Sequence, residues 1–230
     1  MIPLQDLTPR RSFPVVTLLL ILANTLVFFY QISLPPRAAD AFIMTYGVVP
    51  YKIQMALAGR HYTLQEAMLP LFTCMFLHGG WLHIIGNMWF LWIFGDNIED
   101  YLGHFTYLLF YLVSGFAAAV AHILLNAGSN VPSVGASGAI AGVMGAYFVL
   151  YPRAHVLMWF PPIFFFHLPA WLVLGYWFFV QFLSGAATSI AETSETGGIA
   201  FWAHVGGFVA GIVLIKVLPE RPQRYRYAAW

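Results

Sequence analysis

Charged side chains are scarce in this sequence, where aspartate, glutamate, lysine and arginine make up 8% of the 230 residues. Soluble globular domains carry about 25% charged residues, whereas 60% of this chain is hydrophobic. A chain with so little polar surface is expected to reside in lipid. The formal net charge is +1 and no basic stripe is present, so the composition speaks against a nucleic-acid partner.

Cysteine and metal-binding patterns are also lacking. Cys74 is the single cysteine, which excludes a disulfide within the chain. His78 and His83 are separated by Gly-Gly-Trp-Leu, not by the Glu-x-x of the zinc-protease pattern HExxH. The apolar segments carry no acidic residue that could serve as a ligand. We therefore predict no metal site.

Long hydrophobic runs, by contrast, recur through the chain. A helix needs about 20 apolar residues to cross a bilayer. The first run is too long for a signal peptide and is expected to be a retained span. The sequence predicts an all-α, polytopic membrane protein in which residues 1–230 form one domain. The six predicted spans lie near residues 14–33, 71–94, 105–125, 137–151, 168–186 and 200–218.

Lysine and arginine are distributed unevenly between the two sides of these spans. Such residues collect on the cytoplasmic side of membrane proteins, so both termini are expected to be cytoplasmic. The loop at 35–70 is expected to be partly helical and to lie in the outer membrane interface. On the inner side lie Arg10, Arg11, Arg153, Lys216, Arg221, Arg224 and Arg226, and on the outer side Arg37, Lys52 and Arg60.

The fourth span begins within the sequence GASGAIAG at residues 135–142. Gly135 allows a turn, and Gly138 and Gly142 leave one helix face flat. Ser137 stands at the helix start, where free N–H groups could stabilise an oxyanion. The pattern therefore suits a nucleophilic serine, although helix packing alone would also explain it.

The sixth span contains AHVGGFVAG at residues 203–211. His204, Gly207 and Gly211 recur on one helical face, and this smooth face could dock on the glycines of the fourth span. Docking would bring His204 to the depth of Ser137, within reach to act as its general base. The alternative is an interhelical hydrogen bond without chemistry. Gln181, on the fifth span, is interpreted in that simpler way.

The second span contains HGGWLHIIGN at residues 78–87. His83 and Asn87 stand at i and i+4, stacked on one face. Both side chains can donate hydrogen bonds, as an oxyanion hole requires. Serine, base and oxyanion donors are thus all supplied near the outer ends of three spans. Their conjunction favours an active site over simple packing.

These three motifs, in this order, resemble those of the rhomboid intramembrane serine proteases. The matching patterns are HxxxN at 83–87, GxSG at 135–138 and AHxxGxxxG at 203–211. The resemblance covers nearly all of the chain after the first span and implies a six-helix rhomboid-like bundle. It implies a dyad of Ser137 and His204 without an acidic third member. It further implies an oxyanion hole of His83, Asn87 and the Ser137 N–H, with His78 organising polar groups and water.

The resemblance also implies substrates and surroundings. Transmembrane segments of other proteins would enter sideways between the second and fifth spans, and no cofactor would be needed. The expected location is the plasma (inner) membrane.

A loop at 188–198 with Gly197 and Gly198 would either cap the site or be a plain connector. The alternative functions are a non-catalytic relative that binds transmembrane clients, expected to lack the serine or the histidine, and a channel, expected to have charged pore-lining positions.

Two departures from the family pattern stand out. The first loop has Arg60 but lacks the Trp-Arg pair of many members. At Ala141, four residues after the serine, some members have an aromatic ring that packs on the catalytic histidine. We expect another residue to orient His204, either Tyr147 or a residue of the second span.

Overall fold

The computed structural model describes residues 2–190 and 200–221. Most of this part of the chain is helical. Its helices are α1 (Val15–Ser33), α2 (Pro36–Tyr46), α3 (Pro50–Leu57), α4 (Leu64–Met68), α5 (Pro70–Thr73), α6 (Trp81–Leu102), α7 (His104–Leu125), α8 (Ser137–Leu150), α9 (Ala170–Ile190) and α10 (Phe201–Val217). Its strands are β1 (Ile2–Asp6), β2 (His155–Phe160) and β3 (Phe164–Pro169), and a 3₁₀ turn spans Cys74–Phe76.

Each of the six predicted spans contains a helix. Within the described residues, three of these helices are long and apolar enough to cross a membrane, namely α1, α7 and α9. A fourth span is obtained if the bent pair Leu64–Phe76 and Trp81–Leu102 is counted as one. The helices α8 and α10 are apolar but shorter, with 14 and 17 residues. The chain is thus an integral membrane protein of helical architecture.

The second predicted span differs from the structure. A single helix over 71–94 is wrong, because the chain breaks after the 3₁₀ turn and α6 begins only at Trp81. The two parts meet at 77°. The acidic residues at 96–100, which lie beyond the predicted second span, belong to the last turns of α6. Gly103 ends the helix with φ +78, a left-handed conformation that glycine adopts without strain.

A buried carboxylate joins α6 to α1. Glu99 is fully buried and accepts hydrogen bonds from the backbone N–H groups of Val16 and Thr17, each at 2.8 Å. The hydroxyl of Thr17 donates to it at 2.7 Å. A helix N-terminus leaves N–H groups unpaired and carries a positive partial charge. Glu99 satisfies these groups at the start of α1 and so fixes the two helices against each other.

The prediction of an all-α chain is wrong in one respect, since the described residues contain a three-stranded antiparallel sheet. Its order is β1-β2-β3. Val156 and Met158 of β2 alternate as buried residues, as one face of a strand requires. The 151–169 connection is apolar enough to resemble the neighbouring spans. The alternating pattern of β2 is only six residues long, and β1, one of its two pairing partners, is distant in the sequence.

The sheet and two further contacts gather the basic residues on one side of the bundle. Because β1 pairs with β2, the N-terminal segment lies beside the connection between α8 and α9, which contains Arg153. Arg10 forms an ion pair with Asp96 at 3.1 Å. The N–H of Arg221 donates to the carbonyl oxygen of Tyr101 at 2.8 Å. The N-terminal segment, this connection and the chain after α10 therefore share one face.

The first loop is partly helical, as predicted, and it is fastened to the segment before α8. Val48 and Ser133 exchange two backbone hydrogen bonds of 2.9 and 2.7 Å. The α8 helix itself is buried continuously from Gly138 to Tyr147. It lies at the centre of the molecule, and its first residue is Ser137.

Candidate active site

A glycine turn places Ser137 at the N-terminus of α8. Gly135 has φ +131, in the left-handed region that favours glycine. Its N–H donates to the carbonyl oxygen of Cys74 at 2.9 Å. Ser137 thereby stands where the helix offers unpaired N–H groups and the positive end of its dipole. These groups are suited to hold a negative charge that develops beside the serine oxygen.

His204 lies in the first turn of α10, opposite this serine. The distance between His204 Nε2 and Ser137 Oγ is 2.8 Å, which is a good hydrogen bond. The structure therefore brings together the two residues predicted from separate motifs. A histidine in this position can take the serine proton as a general base.

Glycines make this approach of α8 and α10 possible. A Cβ atom on Gly207 would overlap the carbonyl oxygen of Gly138, and one on Gly211 would overlap that of Gly142. The glycines of α8 also face α7, because a Cβ on Gly138 would lie 2.6 Å from that of Ala118. The predicted docking of two glycine strips is thus found for α10, whereas the α8 glycines are shared between two neighbours.

His83 and Asn87 lie on one face of α6, as their spacing predicted. This face is beside the turn that precedes Ser137. A Cβ on Gly135 would be 2.7 Å from His83 Nε2 and 3.5 Å from Asn87 Nδ2. The N–H of Gly79 donates to His83 Nδ1 at 3.3 Å, so Nε2 carries the ring proton and is a donor. Asn87 Nδ2 is buried and has no hydrogen-bond partner among the described residues. Asn87 Nδ2 is thus available to bind an oxyanion, and His83 Nε2 offers a second donor at the same turn.

His78 lies next to His83. Its side chain is fully buried, and its ring centroid is 5.2 Å from that of His83 in an edge-on arrangement. Neither ring nitrogen has a partner within the described chain. Gln31 donates to its carbonyl oxygen at 2.7 Å and so anchors the backbone. The predicted role of His78 in organising water stays a prediction.

The dyad opens into a cavity of about 910 Å³ between α6 and α9. Its wall is mainly apolar, and its polar side chains are those of the candidate site and of α9. Cavities of this size and character commonly hold ligands. The residues that line this cavity include Trp81, His83, Asn87, Ser137, Gln181 and His204.

A second, much smaller cavity lies on the other side of Ser137. Its volume is about 20 Å³, enough for one water molecule. Ser133, Ser137 and His122 contribute polar groups to its lining. Ser137 lines both cavities, whereas His78, expected from the resemblance to organise water, lines neither.

Gln181 contacts the side of His204 that faces away from Ser137. The sequence did not connect this residue with the site. Gln181 Oε1 is 2.7 Å from His204 Nδ1, so the bond is interhelical, as the sequence suggested. The ring of Trp177, one turn earlier on α9, lies 5.7 Å from the imidazole. The sequence did contain one clue to this role. Gln181 is a polar residue in an apolar span, and such a residue is by default a candidate for a functional site.

Tyr147, the residue proposed by name to orient His204, lies elsewhere. Its hydroxyl donates to Asp6 Oδ2 at 2.8 Å and bonds Thr8 at 2.7 Å, near the strand β1. Burial raises the pKa of the Asp6 carboxyl. Tyr147 therefore fixes the N-terminal segment to α8. Its suggested contact with His204 is wrong, because ten residues of helix carry it away from the serine.

Other predicted features fall outside this site. Within the described parts of the chain, no three His, Cys, Asp or Glu side chains lie close enough to hold a metal ion. The Gly197–Gly198 segment of the suggested capping loop at 188–198 lies outside the described residues.

Comparison with known proteins identifies related chains. The profile of the Rhomboid domain matches residues 65–221. Rhomboid protein 1, mitochondrial, from Saccharomyces cerevisiae is 31% identical over 163 residues, which are 67% of this chain and 44% of that protein. Rhomboid-like protein 11, chloroplastic, from Arabidopsis thaliana is 30% identical over 213 residues, 87% of this chain and 67% of that protein.

A further relative is the presenilin-associated rhomboid-like protein, mitochondrial, from Bos taurus, 28% identical over 188 residues, 76% of this chain and 45% of that protein. The chain thus spans about half of the length of several relatives it matches. The names of these three proteins place them in mitochondria or chloroplasts, so they give no support to the predicted plasma-membrane location.

Proposed function

This chain belongs to the rhomboid family, and from that premise we propose that it is an intramembrane serine endopeptidase. Ser137 is the nucleophile and His204 is the general base. The observation that carries the proposal is the 2.8 Å hydrogen bond between these two side chains, at the floor of a large cavity between two apolar helices. A pair held in this way is the minimum that serine-type acyl transfer needs.

The proposed reaction proceeds in two halves. Ser137 Oγ attacks the peptide carbonyl carbon while its proton passes to His204 Nε2. The tetrahedral intermediate collapses, the C–N bond breaks, and His204 returns the proton to the leaving amine. Water then attacks the acyl-enzyme ester with His204 again as base, which releases the new carboxylate and restores the serine.

The oxyanion of each intermediate is bound by three donors. These are His83 Nε2–H, the amide of Asn87 and the N–H of Ser137 at the start of α8. The support for Asn87 is that its Nδ2 is buried without a partner among the described residues. An unpaired buried donor costs free energy in the resting protein, and a developing negative charge would satisfy it. Such preorganised donors favour the transition state over the ground state.

Replacing Asn87 by alanine is expected to lower kcat by about 100-fold, because one preorganised oxyanion donor is lost. KM should change little, since the charge exists only in the transition state. Cleavage of a fluorogenic transmembrane peptide in liposomes gives both constants. Asn130→Ala removes an exposed amide and serves as the matched control. An Asn87→Ala enzyme with unaltered kcat would show that this amide takes no part in the reaction.

The substrates that fit the cavity are transmembrane segments of membrane proteins. The cavity lies between α6 and α9 and is lined by apolar side chains of both helices, including Phe90 and Trp177. A hydrophobic helix could reach the serine from the lipid without passing through water. Cleavage at the N-terminus of α8 would place the cut near the outer end of such a segment.

The proposed membrane arrangement has six spans in one domain over residues 1–230. They are α1, the bent segment that ends in α6, α7, α8, α9 and α10, with the first loop in the outer interface. The short α8 can begin within the membrane because its N-terminus faces protein and a cavity, not lipid. The shared basic face of Arg10, Arg153 and Arg221 would be cytoplasmic by the positive-inside rule.

A fluorophosphonate probe tests the proposal directly. Purified protein in detergent should be labelled in the wild type and in Ser33→Ala, an exposed serine at the end of α1. Labelling should vanish in Ser137→Ala and His204→Ala. A folded wild type that is neither labelled nor able to cut a transmembrane peptide would contradict the proposal and favour the non-catalytic, client-binding alternative.

A further inference from the structure

We infer that Gln181 of α9 is a positioning residue for His204: it fixes the tautomer and the orientation of the imidazole that serves Ser137. The inference rests on the proposed function and extends it from a pair of residues to a chain of three. The three belong to three different helices, with Ser137 on α8, His204 on α10 and Gln181 on α9.

The hydrogen-bond chain determines where the imidazole proton lies. Gln181 presents its amide oxygen, Oε1, to His204 Nδ1 at 2.7 Å. A carbonyl oxygen can only accept, so Nδ1 must carry the proton. Nε2 then holds a lone pair, and it is this nitrogen that lies 2.8 Å from Ser137 Oγ. Gln181 thus selects the tautomer that can accept the serine proton.

The same bond also restricts rotation of the ring. With a partner at each nitrogen, the imidazole cannot flip without breaking both hydrogen bonds. Trp177 stands four residues before Gln181, on the same face of α9, and its ring packs against the imidazole with a centroid distance of 5.7 Å and a 38° interplanar angle. The α9 helix therefore supplies the aromatic support that Ala141 of α8 lacks.

An amide suits this position in a membrane protein. A carboxylate would bring a net charge into an apolar span, where an ionised side chain is costly. The amide oxygen directs the proton without a charge. Gln181 does not need to contact the substrate for this role, although it also lines the large cavity. The experiment must therefore separate positioning from substrate binding.

The test compares Gln181→Met with Gln181→Glu in the full chain, using a fluorogenic transmembrane peptide in liposomes. Methionine has a similar length but cannot serve as a strong acceptor, so kcat should fall by on the order of 10²-fold while KM stays within about 3-fold of the wild-type value. Glutamate keeps an acceptor oxygen at the same distance and should restore most of kcat as the pH is raised and its carboxyl group ionises. Phe182→Met, on the exposed face of α9, is the control. Thermal unfolding in detergent checks that each variant is folded.

The outcomes separate the two proposals. If the wild type is active and Gln181→Met has the same kcat, the positioning role is overturned while the serine protease stands. A rise in KM alone would assign Gln181 to substrate binding and likewise overturn it. The same holds if a folded Gln181→Glu is as slow as Gln181→Met even at high pH, where its carboxylate is ionised and can only accept a hydrogen bond. An inactive wild type would instead overturn the proposed function.

Discussion

Ser137→Ala is expected to lower kcat for cleavage of a transmembrane peptide by on the order of 10⁴-fold or more, and His204→Ala by a similar factor. The reason is that the 2.8 Å bond between Oγ and Nε2 makes the two residues one unit. Alanine at 137 removes the nucleophile, whereas alanine at 204 leaves a hydroxyl that has no base to take its proton.

The double variant provides the sharper form of this prediction. Ser137→Ala/His204→Ala should be no slower than either single variant, because residues that act together are strongly non-additive. Product formation in liposomes, followed by gel and by fluorescence, measures all three. Ser33→Ala controls for the loss of a serine hydroxyl. If the losses in kcat of the two single variants multiply in the double variant, the two residues do not act in a shared step. Cleavage by Ser137→Ala at the wild-type rate would exclude this serine as the nucleophile.

Gly211→Ala is expected to have the second largest effect, on stability as well as activity. The added Cβ would overlap backbone atoms of Gly142, and a backbone cannot turn aside as a flexible side chain can. The helices α8 and α10 must therefore separate, at a cost of about 3 kcal/mol in unfolding free energy. Since His204 is carried by α10, a displacement of about 1 Å should also reduce kcat by about 100-fold.

The matched control for this prediction is Gly175→Ala, in α9. Among the described residues, a Cβ there would meet only Phe148, at an ordinary contact distance of 3.6 Å. Alanine favours a helix over glycine by about 1 kcal/mol, so Gly175→Ala should be neutral or slightly stabilising. Unfolding in detergent, monitored by circular dichroism, compares the two. Equal stability of both variants would show that α8 and α10 are not in backbone contact.

The main helices were predictable because their signal is local. Each of the six apolar segments contains a helix, and α1 and α7 agree with their predicted ranges to within one residue at each end. The break before α6 was not predicted, since the residues on both sides of it are apolar. The β1–β2 pairing was missed because it joins Asp6 to Val156, far along the chain. The two strands of the β2–β3 hairpin are short, and strand propensity depends strongly on context.

The candidate site likewise has some residues that a local sequence signal predicts and others that it does not. Ser137, His83, Asn87 and His204 stand in motifs of a few residues, and spacing on a helix is sufficient to place His83 and Asn87 on one face. Glycine spacing also predicted that α8 and α10 would approach closely. These features depend on residues next to each other in the chain or one turn apart, so the sequence by itself determined them.

Only the tertiary structure decided what completes the site. Gln181 meets His204 because α9 packs beside α10, and its 23-residue separation from His204 leaves no periodic trace in the sequence. Glu99 stands in an acidic stretch that lies beyond the predicted second span. It becomes the buried cap of α1 because α6 packs beside α1. Which polar group pairs with which across two helices depends on their relative rotation and depth. Packing of the whole bundle sets those quantities, and no single segment encodes them.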